Sequence, residues 1–150
     1  MKKIIYLFLL FLFASVICGC GKTTENVEIY TDKEFIQDKF PDIGNIKSVK
    51  YYYYYENGEP SRLEIGMYPK RFGGIIEVEG EYAEKIEKEC DWEKCKKKLS
   101  DSDLPEVKEY HFWQSDDFDC GGEYITESVS FVGDFYYDRD KQVIYFSGEY

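Results

Sequence analysis

The chain has 150 residues, with 30 acidic against 19 basic side chains and a net charge of −11. An acidic surface repels phosphate backbones, which excludes nucleic acid as a partner. Its 15 Tyr and 11 Phe exclude a disordered chain, which would be poor in aromatics, and favour a folded, sheet-rich domain.

The first element is a targeting segment. Met1-Lys2-Lys3 is positive, and a nearly unbroken apolar run follows from Ile4 to Ile17. This is the n-region and h-region pattern of secretion, and the run is short for a spanning helix, which needs about 20 apolar residues. The run ends in Ile17-Cys18-Gly19-Cys20. This tetrad resembles the lipobox of bacterial lipoprotein precursors: an aliphatic residue, two small residues, then the cysteine that is lipidated. Cys18 is an unusual occupant of its place, and Cys18 itself has a poorer box than Cys20. The resemblance covers these twenty residues only. It implies cleavage before Cys20, a diacylglyceryl thioether on Cys20, and a membrane partner reached through that lipid on the outer side of a bacterial membrane. More than one acyl chain is needed to hold firmly.

On this reading residues 1–19 are the signal peptide, 20–28 the lipidated cysteine with its tether, and 29–150 a single globular domain. Loss of Lys2 and Lys3 takes the net charge from −11 to −13. A domain of that charge stands off anionic lipid. A flexible tether of eight residues spans only about 15 Å on average, which keeps the domain near the bilayer.

Thr31 and Glu34 have capping-box spacing, with Tyr30 and Phe35 placed for a hydrophobic staple, and Pro41 stops the helix near Phe40. Ile46 to Tyr55 reads as a strand and Arg62 to Tyr68 as its hairpin partner. The hydrophobic pattern selects a loop of three or five residues with Gly58 at positive φ. Val49, Tyr51 and Tyr53 then face the core, with Tyr52 and Tyr54 opposite. Gly74 to Val78 is a third strand.

Glu79 to Leu99 is helical in composition, but Tyr82, Ile86 and Cys90 lie opposite Trp92, Cys95 and Leu99, which predicts a break near Asp91. Val107 to Trp113 and Ile125 to Tyr137 read as strands, the latter with Ile125, Val129, Phe131, Phe135 and Tyr137 on one face. A four-residue loop at Asp138 to Lys141 returns the chain as a last strand, with Phe135 opposite Ile144 and Gly133 opposite Phe146. The fold class is α+β: an antiparallel sheet of about five or six strands with two helical segments on one face, in the order α-β-β-β-α-β-β-β. Residues 46–52 and 107–113 echo one another, which raises a structural repeat as one reading.

After lipidation, Cys90, Cys95 and Cys120 remain. Outside the cytoplasm a disulfide is the expected use, Cys90–Cys120 or Cys90–Cys95. A zinc set of Cys90, Cys95, His111 and Cys120 is a weaker reading, because the spacing matches no specific motif. Asp117, Asp119 and Gly122 match part of a calcium loop, but Ser128 stands where a bidentate Glu belongs, so the loop reads as solvated acid. His111, the only histidine, has no nucleophile placed beside it in any motif. No catalytic residue, metal or other cofactor is therefore expected.

The functional expectation rests on tyrosine. With helices on one sheet face, Tyr52, Tyr54, Tyr136 and Tyr145 fall on the other, as an amphipathic binding face for an envelope protein, peptide or glycan. The leading reading is a non-catalytic, membrane-anchored binding module. The alternatives are an envelope-acting enzyme and an inhibitory or structural lipoprotein with a protein partner.

Overall fold

The computed structural model describes residues 27–54, 71–96, 98–118 and 131–149. Its elements in order are α1 (Lys33–Lys39), β1 (Ile46–Tyr54), β2 (Arg71–Val78), α2 (Glu81–Glu89), β3 (Glu93–Lys94), a 3-10 helix (Pro105–Glu109), β4 (Trp113–Gln114), β5 (Val132–Asp138) and β6 (Val143–Glu149). The strands form one six-stranded sheet in the order β1-β2-β6-β5-β4-β3, and every neighbouring pair is antiparallel. This is the expected α+β class.

Both helices pack on one face. Ile36 and Phe40 of the α1 region and Ala83 and Ile86 of α2 join Val49, Tyr51, Phe72, Ile76, Phe135 and Phe146 in one buried cluster. Strand alternation delivers this face: 49 and 51 point to the helices while Tyr52 points away. The expected facing of Val49, Tyr51 and Tyr53, and of Phe131, Phe135 and Tyr137, is what the structure has.

Several elements differ in detail. The cap of α1 is Asp32, not Thr31: its carboxyl accepts from the Glu34 and Phe35 amides. A carboxyl one residue nearer the helix outcompetes the hydroxyl and suits the dipole. Tyr30 and Phe35, the expected staple pair, each stack on Tyr51. The long helical stretch breaks at Cys90, one residue before Asp91. There Trp92 folds back and its indole donates to the Ile86 carbonyl at 2.8 Å.

The β5–β6 register is two residues from the expected one, with Phe135 opposite Phe146 and Gly133 opposite Gly148. A shift of two preserves the faces, so hydrophobic patterning cannot distinguish the two registers. The partner of β1 is β2, residue for residue from Tyr54↔Arg71 to Val49↔Ile76. The expected hairpin strand at 62–68, the Gly58 turn and the start of the 125–137 strand lie outside the described residues.

The largest correction concerns residues 107–113. They are not a full strand but a 3-10 turn opened by Pro105, followed by only two strand residues. Proline fixes φ for the first helical position and lacks the donor that a sheet would need. The echo with 46–52 therefore has no structural counterpart. Instead, residues 99–112 run as a strap over the sheet face opposite the helices. Leu104, Val107 and Phe112 of the strap are buried with Tyr52, Ile75, Val143 and Tyr145. The sheet is covered on both faces.

Gly73 shows how tightly the strap side is built. It lies opposite Tyr52 on the neighbouring strand, and a Cβ there would sit 2.7 Å from the Tyr52 hydroxyl oxygen. Only glycine leaves room for the ring to lie over the backbone.

Candidate functional site

Two buried aspartates hold the strap. Asp101, 9% exposed, accepts hydrogen bonds from the Tyr52 and Tyr145 hydroxyls at 2.9 Å each, on one carboxyl oxygen. Its other oxygen accepts the Asp103 amide at 2.9 Å. Arg71 reaches the same cluster, 3.3 Å from the Tyr52 hydroxyl and 3.4 Å from the Asp103 carboxyl. Desolvation, reinforced by the Asp101 charge, pushes the phenols of Tyr52 and Tyr145 well above their ordinary value. Both remain donors at neutral pH. Asp138, 1% exposed, accepts from the His111 amide at 2.7 Å and the Lys141 amide at 3.0 Å. One carboxyl thus ties the end of the strap to the β5–β6 turn.

These contacts correct the tyrosine binding face. Tyr52 and Tyr145 are buried under the chain's own strap, and their hydroxyls are spent on Asp101. Tyr136 is half-buried and stacks on Tyr145 at 6.1 Å. Tyr54 is half-buried at the end of β1. The four rings do not form an exposed patch. The signal that could have warned of this is Leu104-Pro105 with Val107: apolar residues beside a proline, in a stretch too irregular to pair as a strand.

The cysteines and acidic loops offer no assembled metal site among the described residues. Among the described residues Cys90 and Cys95 form no disulfide. Cys90 packs in the helix-side cluster and Cys95 against the strap-side cluster, so the sheet separates them and the Cys90–Cys95 bridge is not formed. Burial pushes the Cys90 thiol up to about 11 and raises that of Cys95 too. Cys20, Asp119, Cys120 and Gly122 lie outside the described residues, and with them the lipidation site and the Cys90–Cys120 bridge. His111 is exposed, and Asp117 accepts the Asp91 amide at 3.1 Å. No helix among the described residues is long and apolar enough to cross a membrane.

Among the described residues the strap leaves part of its face uncovered. Beside the 3-10 turn, a groove of about 340 Å³ runs between β1 and the β5–β6 turn. Ile75 and Val143 form its apolar floor. Ser48, Lys50 and Glu77 line one side, Tyr110 and Lys141 the other. Alternation again explains the set: residues 48 and 50 point the same way as Tyr52, and their partners across the strands are Glu77 and Ile75.

The charges on the β1 side are fixed in pairs. Lys50 bonds Glu106 at 2.8 Å. Glu77 takes both the Lys47 ammonium and the Ser48 hydroxyl, the latter at 2.9 Å. The hydrogen bond from Lys47, then that from Ser48, holds Glu77 below the usual carboxylate range. Lys50 does the same for Glu106, and Lys50 is itself raised by that bond. Lys141 differs: its ammonium lies 4.5 Å over the Tyr110 ring and 3.4 Å from the Glu109 carbonyl.

The groove also has a position relative to the N-terminus. Residues 27–30 run antiparallel along β1, bridged at Tyr30↔Tyr51. Val27 therefore lies toward the Tyr54 end of the sheet, whereas the groove lies toward the Ile46 end. At about 3.3 Å per strand residue the two are on the order of 15–20 Å apart. Comparison with protein-family models, with curated proteins and with solved structures finds no match to this chain.

Proposed function

We propose that the chain is a lipoprotein held by Cys20 on the outer side of a bacterial membrane, and that its domain binds without catalysing, through the groove. The observation that carries the binding reading is the state of the groove's charges. A general acid or base works best with a proton affinity near the ambient pH. Glu77 and Glu106 are driven down and Lys50 up, away from neutrality. Such groups are fixed charges for recognition. The apolar floor with a few polar groups above it has the composition of a ligand site, at the small end of the usual size range.

The anchor reading rests on the Ile17-Cys18-Gly19-Cys20 tetrad. On this reading the chain enters the domain at Val27, at the Tyr54 end of the sheet, and the groove lies toward the other end. The partner is then a component of the extracytoplasmic space, an envelope protein, peptide or glycan, and not the lipid itself.

Two experiments test this. Metabolic labelling with an alkyne fatty acid should mark the wild-type chain and not Cys20→Ser, which should also keep its signal segment; equal labelling of both removes the anchor. A photocrosslinking residue placed at Ser48, in the groove, or at Asp38, exposed on α1, should be compared in intact cells. Adducts from Ser48 alone support the groove, and adducts from Asp38 alone count against it.

A further inference from the structure

We infer that the groove takes the terminal carboxylate of a short peptide-like ligand, set against the Lys141 ammonium and the Tyr110 hydroxyl. The inference deepens the binding reading above and rests on it.

Lys141 is the first ground. Lys47 and Lys50, beside it, have carboxylate partners. The Lys141 ammonium has one carbonyl and one aromatic face, and no carboxylate within ion-pair distance among the described residues. An ammonium carries three donors, so it keeps capacity for a charged acceptor. In a chain with 30 acidic side chains, a groove lysine held by a carbonyl and a ring, with no ion-pair partner among the described residues, is a selective feature.

Tyr110 is the second. It lines the groove, and its hydroxyl has no hydrogen-bond partner among the described residues. Burial, with Glu106 nearby, raises its phenol, so it stays a donor at neutral pH. An ammonium and a hydroxyl presented together satisfy one acceptor that carries negative charge, and such charge-assisted bonds are the strong ones.

The surroundings narrow the class. A phosphate group carries up to about two negative charges, and Glu77 in the same groove, with Glu106 behind Lys50, opposes that charge. A singly charged carboxylate meets less opposition, and Glu77 offers an acceptor for an amide N–H. The floor of Ile75 and Val143 suits an aliphatic side chain. A volume of about 340 Å³ has room for a chain end.

The test uses the full mature chain in detergent micelles with isotope-labelled Ile and Val methyl groups. The probes are N-acetyl-alanyl-valine, its C-terminal amide, and inorganic phosphate. The free acid should move the Ile75 and Val143 methyl resonances saturably, while those of Ile36 and Ile76 in the helix-side core stay in place. The amide should bind at least about tenfold more weakly, a difference typical of one lost charged hydrogen bond. Lys141→Met and Tyr110→Phe should each weaken the acid about fivefold or more and leave the amide unchanged. Equal affinity for acid and amide would overturn the carboxylate assignment and leave the groove standing as a binding site. Phosphate moving the same methyls at lower concentration than the acid would also overturn it. No shift at Ile75 or Val143 with any probe at millimolar concentration would overturn the assignment as well, and the Ser48 crosslinks would then decide the groove separately.

Discussion

On the strap side of the sheet rings meet and two tyrosine hydroxyls converge on one buried carboxyl, while on the helix side the dense contacts are between phenyl rings. Phe40, Phe72, Phe131, Phe135 and Phe146 pack there at centroid separations near 5 to 6 Å, mostly edge to face. The Tyr137 hydroxyl donates to Glu87 of α2 on that side. Across the sheet, Tyr52 and Tyr145 converge on Asp101, and Asp138 holds two backbone amides. Apolar packing is non-directional and scales with area, so the helix side holds its two short helices chiefly through buried ring and aliphatic surface, with the Tyr137 and Trp92 bonds added at α2. The strap has little regular structure, and directional bonds to buried carboxyls fix its path. The cost of leaving such groups unpaired is what ties it down.

The sharpest way to break the contrast is on the helix side. Phe146→Ala should destabilise the fold by about 3–5 kcal/mol in urea unfolding, the range for a buried aromatic. Asp101→Ala should follow at about 2–4 kcal/mol, since two buried hydroxyls lose their acceptor. It should also raise the solvent reactivity of Tyr52 and Tyr145, which Phe146→Ala should not do selectively.

Alkaline pH probes both faces. Burial pushes the Tyr51 phenol from 10.0 to about 12 and raises those of Tyr52, Tyr137 and Tyr145 as well. Between the unfolded and folded values the folded chain binds more protons, so its stability falls with rising pH. Stability should be fully present below pH 10 and lost as pH rises through 12. Urea midpoints between pH 8 and 11 check this, and a midpoint rising above pH 10 would contradict it. Tyr145→Phe, which cannot ionise, should lose less over that interval.

Two smaller changes complete the series. Gln142 holds a positive φ of 54° in the β5–β6 turn, so Gln142→Gly should stabilise by about 1 kcal/mol by removing that strain. Lys50→Ala, at an ion pair whose lysine is more than half exposed, should shift stability by less than about 1 kcal/mol. A larger loss would mean that the pair, and not Asp101, holds the strap.

The difference between the faces also explains what could be read beforehand. Helix-side positions were legible because strand alternation and the Ile36–Phe40 spacing carry them, and a two-residue register error leaves them unchanged. The antiparallel α+β class follows from the same patterns. The strap was not legible, because residues 107–113 alternate like a strand and the decisive contacts, Asp101 with Tyr52 and Tyr145, are long-range. In so acidic a chain no local pattern separates a buried aspartate from a solvated one. The groove was illegible for the same reason, since its residues come from β1, β2, the strap, the β5–β6 turn and β6.

The most direct test is a double-mutant cycle between Asp101→Ala and Tyr145→Phe, measured by urea unfolding of the full chain. A strap bonded to the sheet predicts a coupling of about 1–2 kcal/mol, as expected of residues in one hydrogen-bond network. A coupling near zero would mean that the strap does not rest on Tyr145 in solution, and that the tyrosine face, not the groove, is the open surface of this domain.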